Sequence, residues 1–134
     1  MFEESGQAFV DREYEKVIEN MQVPTVIFAV GRILRVSTAE RLVDVVSEYR
    51  EKLSDEGVFR LERRLVNRTE DASGAEICVL ENAYYAYDDS FLGTSVGKHW
   101  CRETSLGTVI ELTEYLKLPL GLDADDFGFL RTAA

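Results

Sequence analysis

A change of hydrophobic period decides the fold, and it falls within residues 37–65, STAERLVDVVSEYREKLSDEGVFRLERRL. Ser37 and Glu40 have the spacing of a capping box, in which each side chain bonds the other's exposed backbone N–H, and they predict a helix start. Gly57 predicts the end of that helix. Between these positions one apolar stripe recurs at helical spacing, through Leu42, Val45, Val46, Tyr49 and Leu53. The segment is therefore predicted to be an amphipathic helix that buries one face.

The period falls from about 3.6 to about 2 directly after this helix. Phe59, Leu61 and Leu65 alternate with charged residues, which is typical of a strand with one buried face. Turn-forming residues follow at 70–74, 88–90 and 105–107. They predict hairpins that join four long strands, the last of which runs from Thr108 to Leu118.

The chain before residue 37 predicts one helix and two strands. Apolar residues from Val10 to Met21 recur at helical spacing. The β-branched run from Thr25 to Val30 is apolar at both odd and even positions, which favours a strand covered on both faces. Residues Ile33–Val36 predict a short second strand. The order α-β-β-α-β-β-β-β, within one domain of residues 1–134, indicates an α+β fold with helices on one face of an antiparallel sheet. Residues 119–134 predict an acidic tail that frays or forms a flap.

Composition excludes several classes of partner. The 134 residues carry 15 Lys plus Arg against 25 Asp plus Glu, a net charge of −10. Because this charge repels phosphate groups, neither nucleic acid nor an anionic membrane is an expected partner. Two cysteines do not make a secreted disulfide framework, and no signal-peptide pattern or bilayer-spanning apolar run is found. These features predict a cytoplasmic protein.

The order of elements resembles that of the nuclear transport factor 2-like (NTF2-like) superfamily. The resemblance includes a capped helix before four long strands and a final strand that reads Gly107-Thr-Val-Ile-Glu-Leu-Thr-Glu-Tyr115. This superfamily has a cystatin-like α+β cone and includes ketosteroid isomerase and the SnoaL-like polyketide cyclases. The resemblance implies a curved sheet with helices on its concave face, a cavity inside the cone, and a two-fold dimer through the outer sheet face. Element order without a diagnostic motif implies a fold and not an activity.

Centring each turn in its hairpin assigns the strand residues to two faces. The face predicted to meet the helices is mostly apolar. A buried polar group without a partner costs roughly 2 to 7 kcal/mol, so polar side chains on this face should form a network or line a wetted cavity. The polar side chains assigned to it are Arg63, Asn82, Tyr84, His99 and Glu114.

Two interpretations of this inner set remain open. His99 and Glu114 are the candidate catalytic residues, because a neighbouring carboxylate raises the pKa of an imidazole towards neutrality. The alternative is a structural hydrogen-bond cluster that closes a small core. Arg63, Asn82 and Tyr84 are the candidate ligand-binding residues, and Arg63 either receives an anionic ligand or neutralises Glu114.

Soft metal ligands also fall on the inner face. His99, Cys78 and Cys101 lack a C-x-x-C spacing and make a poor zinc signature, so neither a metal nor a cofactor is expected. A disulfide between the two cysteines is not expected in a reducing compartment.

The opposite face mixes charged residues with large aromatics. Trp100, Tyr85 and Tyr115 lie among charges of both signs, a composition found at wet protein interfaces, and they predict a homodimer interface. The alternative is a set of isolated aromatics covered by long Arg and Lys stems.

These patterns together predict a dimeric protein whose cone-shaped pocket binds a small, largely apolar molecule, with or without catalysis. The alternative is a cofactor-free isomerase, cyclase or dehydratase that acts on a small carbonyl compound, with His99 or Glu114 as general base. A solvent-connected cavity of about 300 Å³ or more would favour the enzyme. A cone filled by its own side chains would favour a protein-interaction module.

Overall fold

The computed structural model describes residues 2–131, with side chains from Glu4 onwards. The elements in chain order are α1 (Phe2–Val10), α2 (Tyr14–Ile18), β1 (Met21–Ala29), β2 (Arg32–Val36), α3 (Ala39–Asp55), β3 (Arg60–Glu70), β4 (Glu76–Tyr85), β5 (Phe91–Thr104), β6 (Gly107–Lys117), two 3₁₀ turns (Pro119–Gly121 and Ala124–Asp126) and α4 (Gly128–Arg131). The six strands form one curved, unclosed sheet in the order β2-β1-β6-β5-β4-β3. The α+β class predicted from the sequence is confirmed.

Helix α3 carries the predicted apolar stripe into the core, but it starts one position later than the capping box predicts. Thr38 has extended backbone geometry, and its Oγ1 accepts a hydrogen bond from the backbone N–H of Arg41 at 3.1 Å. The N-cap is therefore Thr38 and not Ser37. At the other end Gly57 has a φ of +87°, a conformation that glycine adopts without steric cost, and the predicted helix end is confirmed.

Two short helices replace the single first helix predicted from the apolar spacing. Helix α1 ends at Val10, and Arg12 follows with a φ of 60°, which breaks the helical path. Arg12 Nε donates to Glu51 Oε1 at 2.8 Å and ties this break to α3. Within residues 2–131, no helix is long and apolar enough to cross a lipid bilayer.

The sheet is mixed and not purely antiparallel as predicted. The three hairpins β3–β4, β4–β5 and β5–β6 are antiparallel, and their turns fall where the sequence predicts them. Strand β1, however, lies parallel to β6, with Phe28 opposite Glu114. The prediction of antiparallel pairing was wrong for β1 and β6. The three hairpins bring β6 to the middle of the sheet, where it pairs with β1. Strands β2 and β3 are left as the two edges.

The C-terminal segment belongs to the core. The Phe127 side chain is only 1% exposed, and its ring stacks on Tyr49 of α3 with 5.2 Å between centroids. Arg32 Nη2 donates to Asp125 Oδ1 at 2.6 Å and holds the segment against β2. The prediction of a frayed tail or flap was wrong for residues 119–131, because their aromatic side chains are buried against α3. The rest of the predicted tail lies outside the described residues.

Candidate functional site

A cavity of about 110 Å³ lies between the concave face of the sheet and the helices. An apolar cavity of ~150 Å³ is enough to hold benzene, whereas pockets for drug-sized ligands start near ~300 Å³. The cavity is smaller than both, so it sets one small ring as the upper limit for a ligand. Its wall is mostly apolar and includes Phe9, Met21, Ile27, Leu42, Leu61 and Leu80.

On three strands, the face that lines the cavity is the one that the sequence predicts to point inwards. Arg63 from β3, Asn82 and Tyr84 from β4, and His99 from β5 all line it. The structure thus brings together four of the five polar side chains that the sequence assigned to the inner face. Their roles in ligand binding or catalysis stay predictions.

A β-bulge in β6 reverses the faces of the strand beyond it. Glu111 is an extra residue between the cross-strand pairs Trp100–Leu112 and Cys101–Ile110. A bulge places two residues opposite one, so the alternation of side chains shifts by one position after it.

The shift exchanges the places of two predicted site residues. Thr113 and Tyr115 line the cavity, whereas Glu114 pairs with Lys98 on the outer face. The predictions that Glu114 lies beside His99 on the inner face and that Tyr115 lies on the outer face were wrong. Both assumed an uninterrupted alternation through β6.

A hydrogen-bond network crosses the polar side of the cavity. Arg63 Nε donates to Asn82 Oδ1 at 2.8 Å, and Arg63 Nη1 donates to Ser5 Oγ at 2.9 Å. Asn82 Nδ2 donates to Ser95 Oγ at 3.4 Å. The hydroxyls of Ser95 and Tyr84 share a hydrogen bond of 2.7 Å. The network predicted from the cost of burying polar groups is therefore present.

Arg63 does not neutralise Glu114 as predicted, because the two side chains lie on opposite faces of the sheet. Burial lowers the pKa of the Arg63 guanidinium, while nearby tyrosine hydroxyls act in the opposite direction. The ordinary pKa of an arginine lies so far above neutral pH that the guanidinium stays charged after such a shift. The cavity therefore has a positively charged group in its polar wall.

His99 is a neutral hydrogen-bonding group in this wall. Burial, together with the charge of Arg63, lowers the pKa of His99 to about 3. Its Nδ1 lies 3.2 Å from Thr113 Oγ1. Gly97 gives the ring its space, because a Cβ at that position would lie 3.2 Å from His99 Nε2. An imidazole with this pKa is a weak base at neutral pH, where general bases work best with a pKa near the ambient pH.

Three tyrosines gather beside Arg63. Burial raises the pKa of Tyr49 and Tyr84, and it raises the pKa of Tyr115 to about 12, so all three hydroxyls keep their protons. The rings of Tyr49 and Tyr115 stack with 5.5 Å between centroids.

Sequence reasoning missed several polar members of this wall. Ser95 has the same parity as His99 on β5, so the register assumed for the hairpins was sufficient to find it. Thr113 carried no such signal, because the bulge before it was not visible in the sequence pattern. Tyr49 was assigned only to the core stripe of its helix.

The outer face keeps two of the predicted aromatic residues. Lys98 Nζ lies 5.0 Å above the Trp100 ring, and the Arg60 guanidinium lies 4.1 Å above the Tyr85 ring. These cation–π contacts match the interpretation in which long basic stems cover the aromatics. The homodimer stays a prediction.

The thiols lie at the far end of the concave face. Cys78 and Cys101 are both free and buried, and burial raises the pKa of Cys101 to about 12, which makes it a poor nucleophile. In the described part of the chain, no three His, Cys, Asp or Glu side chains are grouped so that they could hold a metal ion.

Comparison with known proteins identifies the fold. No protein-family model and no curated protein matches the sequence. An NTF2-like protein with a cystatin-like fold from Novosphingobium aromaticivorans superposes with a TM-score of 0.62 at 14% identity, over 86% of this chain and 75% of that one. The chain has the cystatin-like fold of NTF2-like proteins. The resemblance stated from the sequence is thus confirmed for the fold.

Two further structures support the NTF2-like fold. A domain of unknown function with a cystatin-like fold from Nostoc punctiforme has a TM-score of 0.65 at 11% identity, over 84% of this chain and 70% of that one. A protein of unknown function from Mycobacterium tuberculosis has a TM-score of 0.59 at 9% identity over 83% of this chain. The present chain spans only 63% of that protein. Similarity at these identities concerns the fold and carries no activity across.

Proposed function

We propose that this NTF2-like chain binds a small, largely apolar molecule inside its cone. The cavity itself supports this proposal, because about 110 Å³ of space persists within an apolar wall that has polar groups on one side. Most ligand sites combine an apolar wall with a few placed polar groups in this way. A ring that buries ~200 Å² of apolar surface gains roughly 5 kcal/mol, which is close to the ~4 kcal/mol of a millimolar Kd.

Binding without acid–base catalysis is favoured over the isomerase, cyclase or dehydratase alternative. Glu114 lies on the outer face, so it does not reach a ligand in the cone. His99 has a pKa of about 3 and is too weak a base for proton abstraction near neutral pH. None of the described side chains that line the cavity is a carboxylate.

A titration with toluene followed by two-dimensional NMR tests the binding proposal. We expect shifts of signals from the cavity wall, and we expect Leu61→Phe to abolish them because the larger side chain fills the space. Leu65→Phe is the matched control, since Leu65 lies on the same strand and is 44% exposed. The proposal fails if toluene shifts no wall signal, or if Leu61→Phe leaves the shifts intact.

We further propose that the outer sheet face forms a homodimer around Trp100 and Tyr85. Both side chains are partly exposed on this face, and charges of both signs surround them, as in the pair Arg102–Glu111. A two-fold interface needs a self-complementary surface, which a mixed-charge face can provide.

Sedimentation tests the dimer. Trp100→Glu should convert a dimeric wild type into a monomer, whereas Leu106→Glu should not, because Leu106 lies at the tip of the β5–β6 turn and is 97% exposed. A monomeric wild type, or an unchanged mass for Trp100→Glu, would remove the homodimer from the proposal.

We also propose a cytoplasmic location. Cys78 and Cys101 are free although they share one end of the concave face, which fits a reducing compartment. The net charge of −10 supports a protein that avoids nucleic acid and anionic membranes. Thiol alkylation in intact cells, followed by mass analysis, would contradict this location if the two cysteines were recovered as a disulfide.

A further inference from the structure

A cleft of about 520 Å³ lies at the hairpin end of the concave face. The turns of the β3–β4 and β5–β6 hairpins border it, where Gly74 and Thr108 contribute to its wall, and both cysteines of the chain line it as well. None of the described residues lines both this cleft and the cavity of the cone, so the cleft is a separate site.

The two thiols of the cleft are neighbours across strands β4 and β5. Cys78 pairs with His99 of β5, which lies two residues before Cys101, so the cysteines form a diagonal pair on one face. Diagonal neighbours of this kind lie ~7 to 8 Å apart, with somewhat shorter distances between their Cβ atoms. After burial, the Cys78 thiol has the largest effect on the pKa of Cys101, which fits two side chains that lean towards each other.

The carboxylates of the cleft are already bound to other groups of the protein. Arg68 Nε lies 2.7 Å from Glu76 Oε1, and the Cys78 thiol donates to the same oxygen at 3.5 Å. Glu103 accepts a hydrogen bond from the Thr108 hydroxyl. No group of three His, Cys, Asp or Glu side chains that could hold a metal ion occurs among the described residues, so the cleft offers two thiols as soft ligands.

We propose that Cys78 and Cys101 bind one monovalent copper ion between their sulfur atoms. Soft thiolate ligands select Cu(I), and this ion accepts two ligands in a linear arrangement, whereas structural zinc and iron–sulfur sites take four. Two metal–sulfur bonds of ~2.3 Å each are long enough to bridge a diagonal pair of cysteines. The inference goes beyond the proposed function and does not depend on the cavity of the cone.

Arg68 supplies the positive charge that such a site needs. Binding of Cu(I) to two thiols releases two protons and leaves a complex with one negative charge. Burial and the Glu76 carboxylate raise the pKa of the Cys78 thiol, and a hydrogen bond from Arg68 acts in the opposite direction. The Arg68 guanidinium therefore lies where it stabilises the thiolate that the copper ion requires.

Copper transfer from a coloured chelator tests the site. The reduced full-length chain is mixed, without oxygen, with the purple Cu(I) complex of bicinchoninate, and the loss of colour measures uptake. We expect about one Cu(I) per chain and a new near-ultraviolet absorption from the copper–thiolate bonds. X-ray absorption of the copper-loaded protein should show two sulfur neighbours around the metal.

Substitution of each thiol tests the residue assignment. Cys78→Ser and Cys101→Ser should each lose the uptake, because a hydroxyl is a hard ligand and the one remaining thiolate cannot form the bridge. His99→Asn is the matched control and should retain the uptake. His99 is the cross-strand partner of Cys78, but its side chain lines the cavity of the cone and not the cleft.

The outcomes separate this inference from the proposed function. An absence of copper uptake by the wild type, retention of uptake by either serine variant, or loss of uptake in His99→Asn would each overturn the dithiolate site. Nitrogen or oxygen neighbours around the copper would overturn it too, and this measurement on the wild type holds even if a serine variant folds poorly. Toluene binding tests the cavity independently of all these results.

Discussion

Protonation of His99 tests the environment of the cavity directly, because His99 is the single histidine of the chain. Its pKa falls to about 3 in the folded protein, since burial removes the water that would solvate the imidazolium and Arg63 repels the added charge. In the unfolded chain a histidine has a pKa of about 6.5. Lowering the pH from 7 to 5 therefore protonates the imidazole of the unfolded chain but not that of the folded protein.

The sign and size of the effect follow from this difference. Between pH 3 and pH 6.5 the unfolded chain binds more protons at this site, so the free energy of unfolding rises with pH across that window. The stabilisation is complete above pH 6.5 and is lost progressively as the pH falls towards 3. At about 1.4 kcal/mol per pKa unit, the loss between pH 7 and pH 5 is about 2 kcal/mol.

Chemical denaturation at pH 7 and pH 5 measures this loss, with His99→Asn as the matched variant. Asparagine does not titrate in this range, so the pH dependence of the variant's free energy of unfolding reports all other groups. The difference between the two proteins isolates the contribution of His99. NMR of the imidazole signals should show no titration down to pH 5. An imidazole that titrates between pH 6 and 7 in the folded protein would refute the argument that the cavity wall is desolvated.

Three further predictions concern the packing around the site and the start of α3. Phe127→Ala should lower the free energy of unfolding by about 3 to 5 kcal/mol in urea denaturation, and a loss below ~1 kcal/mol would make the C-terminal segment a loose flap. Gly97→Ala should weaken toluene binding in NMR titrations, because the added Cβ would lie 3.2 Å from His99 Nε2 and push the ring into the cavity. Thr38→Ala should cost ~1 kcal/mol in urea denaturation and Ser37→Ala far less, and the reverse order would restore the predicted capping box.

Local patterns in the sequence predicted most elements of the fold. The change of period after Gly57, the apolar stripe of α3 and the turn residues at 70–74, 88–90 and 105–107 all correspond to elements of the structure. These features depend on neighbours in the chain, on side-chain spacing and on backbone preferences, which a sequence expresses directly. The same local reasoning placed Arg63, Asn82, Tyr84 and His99 on one face.

The chemistry of the site depended on a feature that local patterns do not carry. Residues 109–115 have apolar side chains on both parities, so either face of β6 could have turned inwards. Strand pairing decided which face of β6 turns inwards. Strand β6 lies between β5 and β1, and the Glu111 bulge lets it pair with both. The Glu111 carbonyl accepts a hydrogen bond from Thr25 Oγ1 of β1 at 2.9 Å, a contact with a strand far away in the chain. That bulge put the hydroxyl of Tyr115 into the cavity and the carboxylate of Glu114 outside it, since an extra residue in a strand turns every later side chain to the other face.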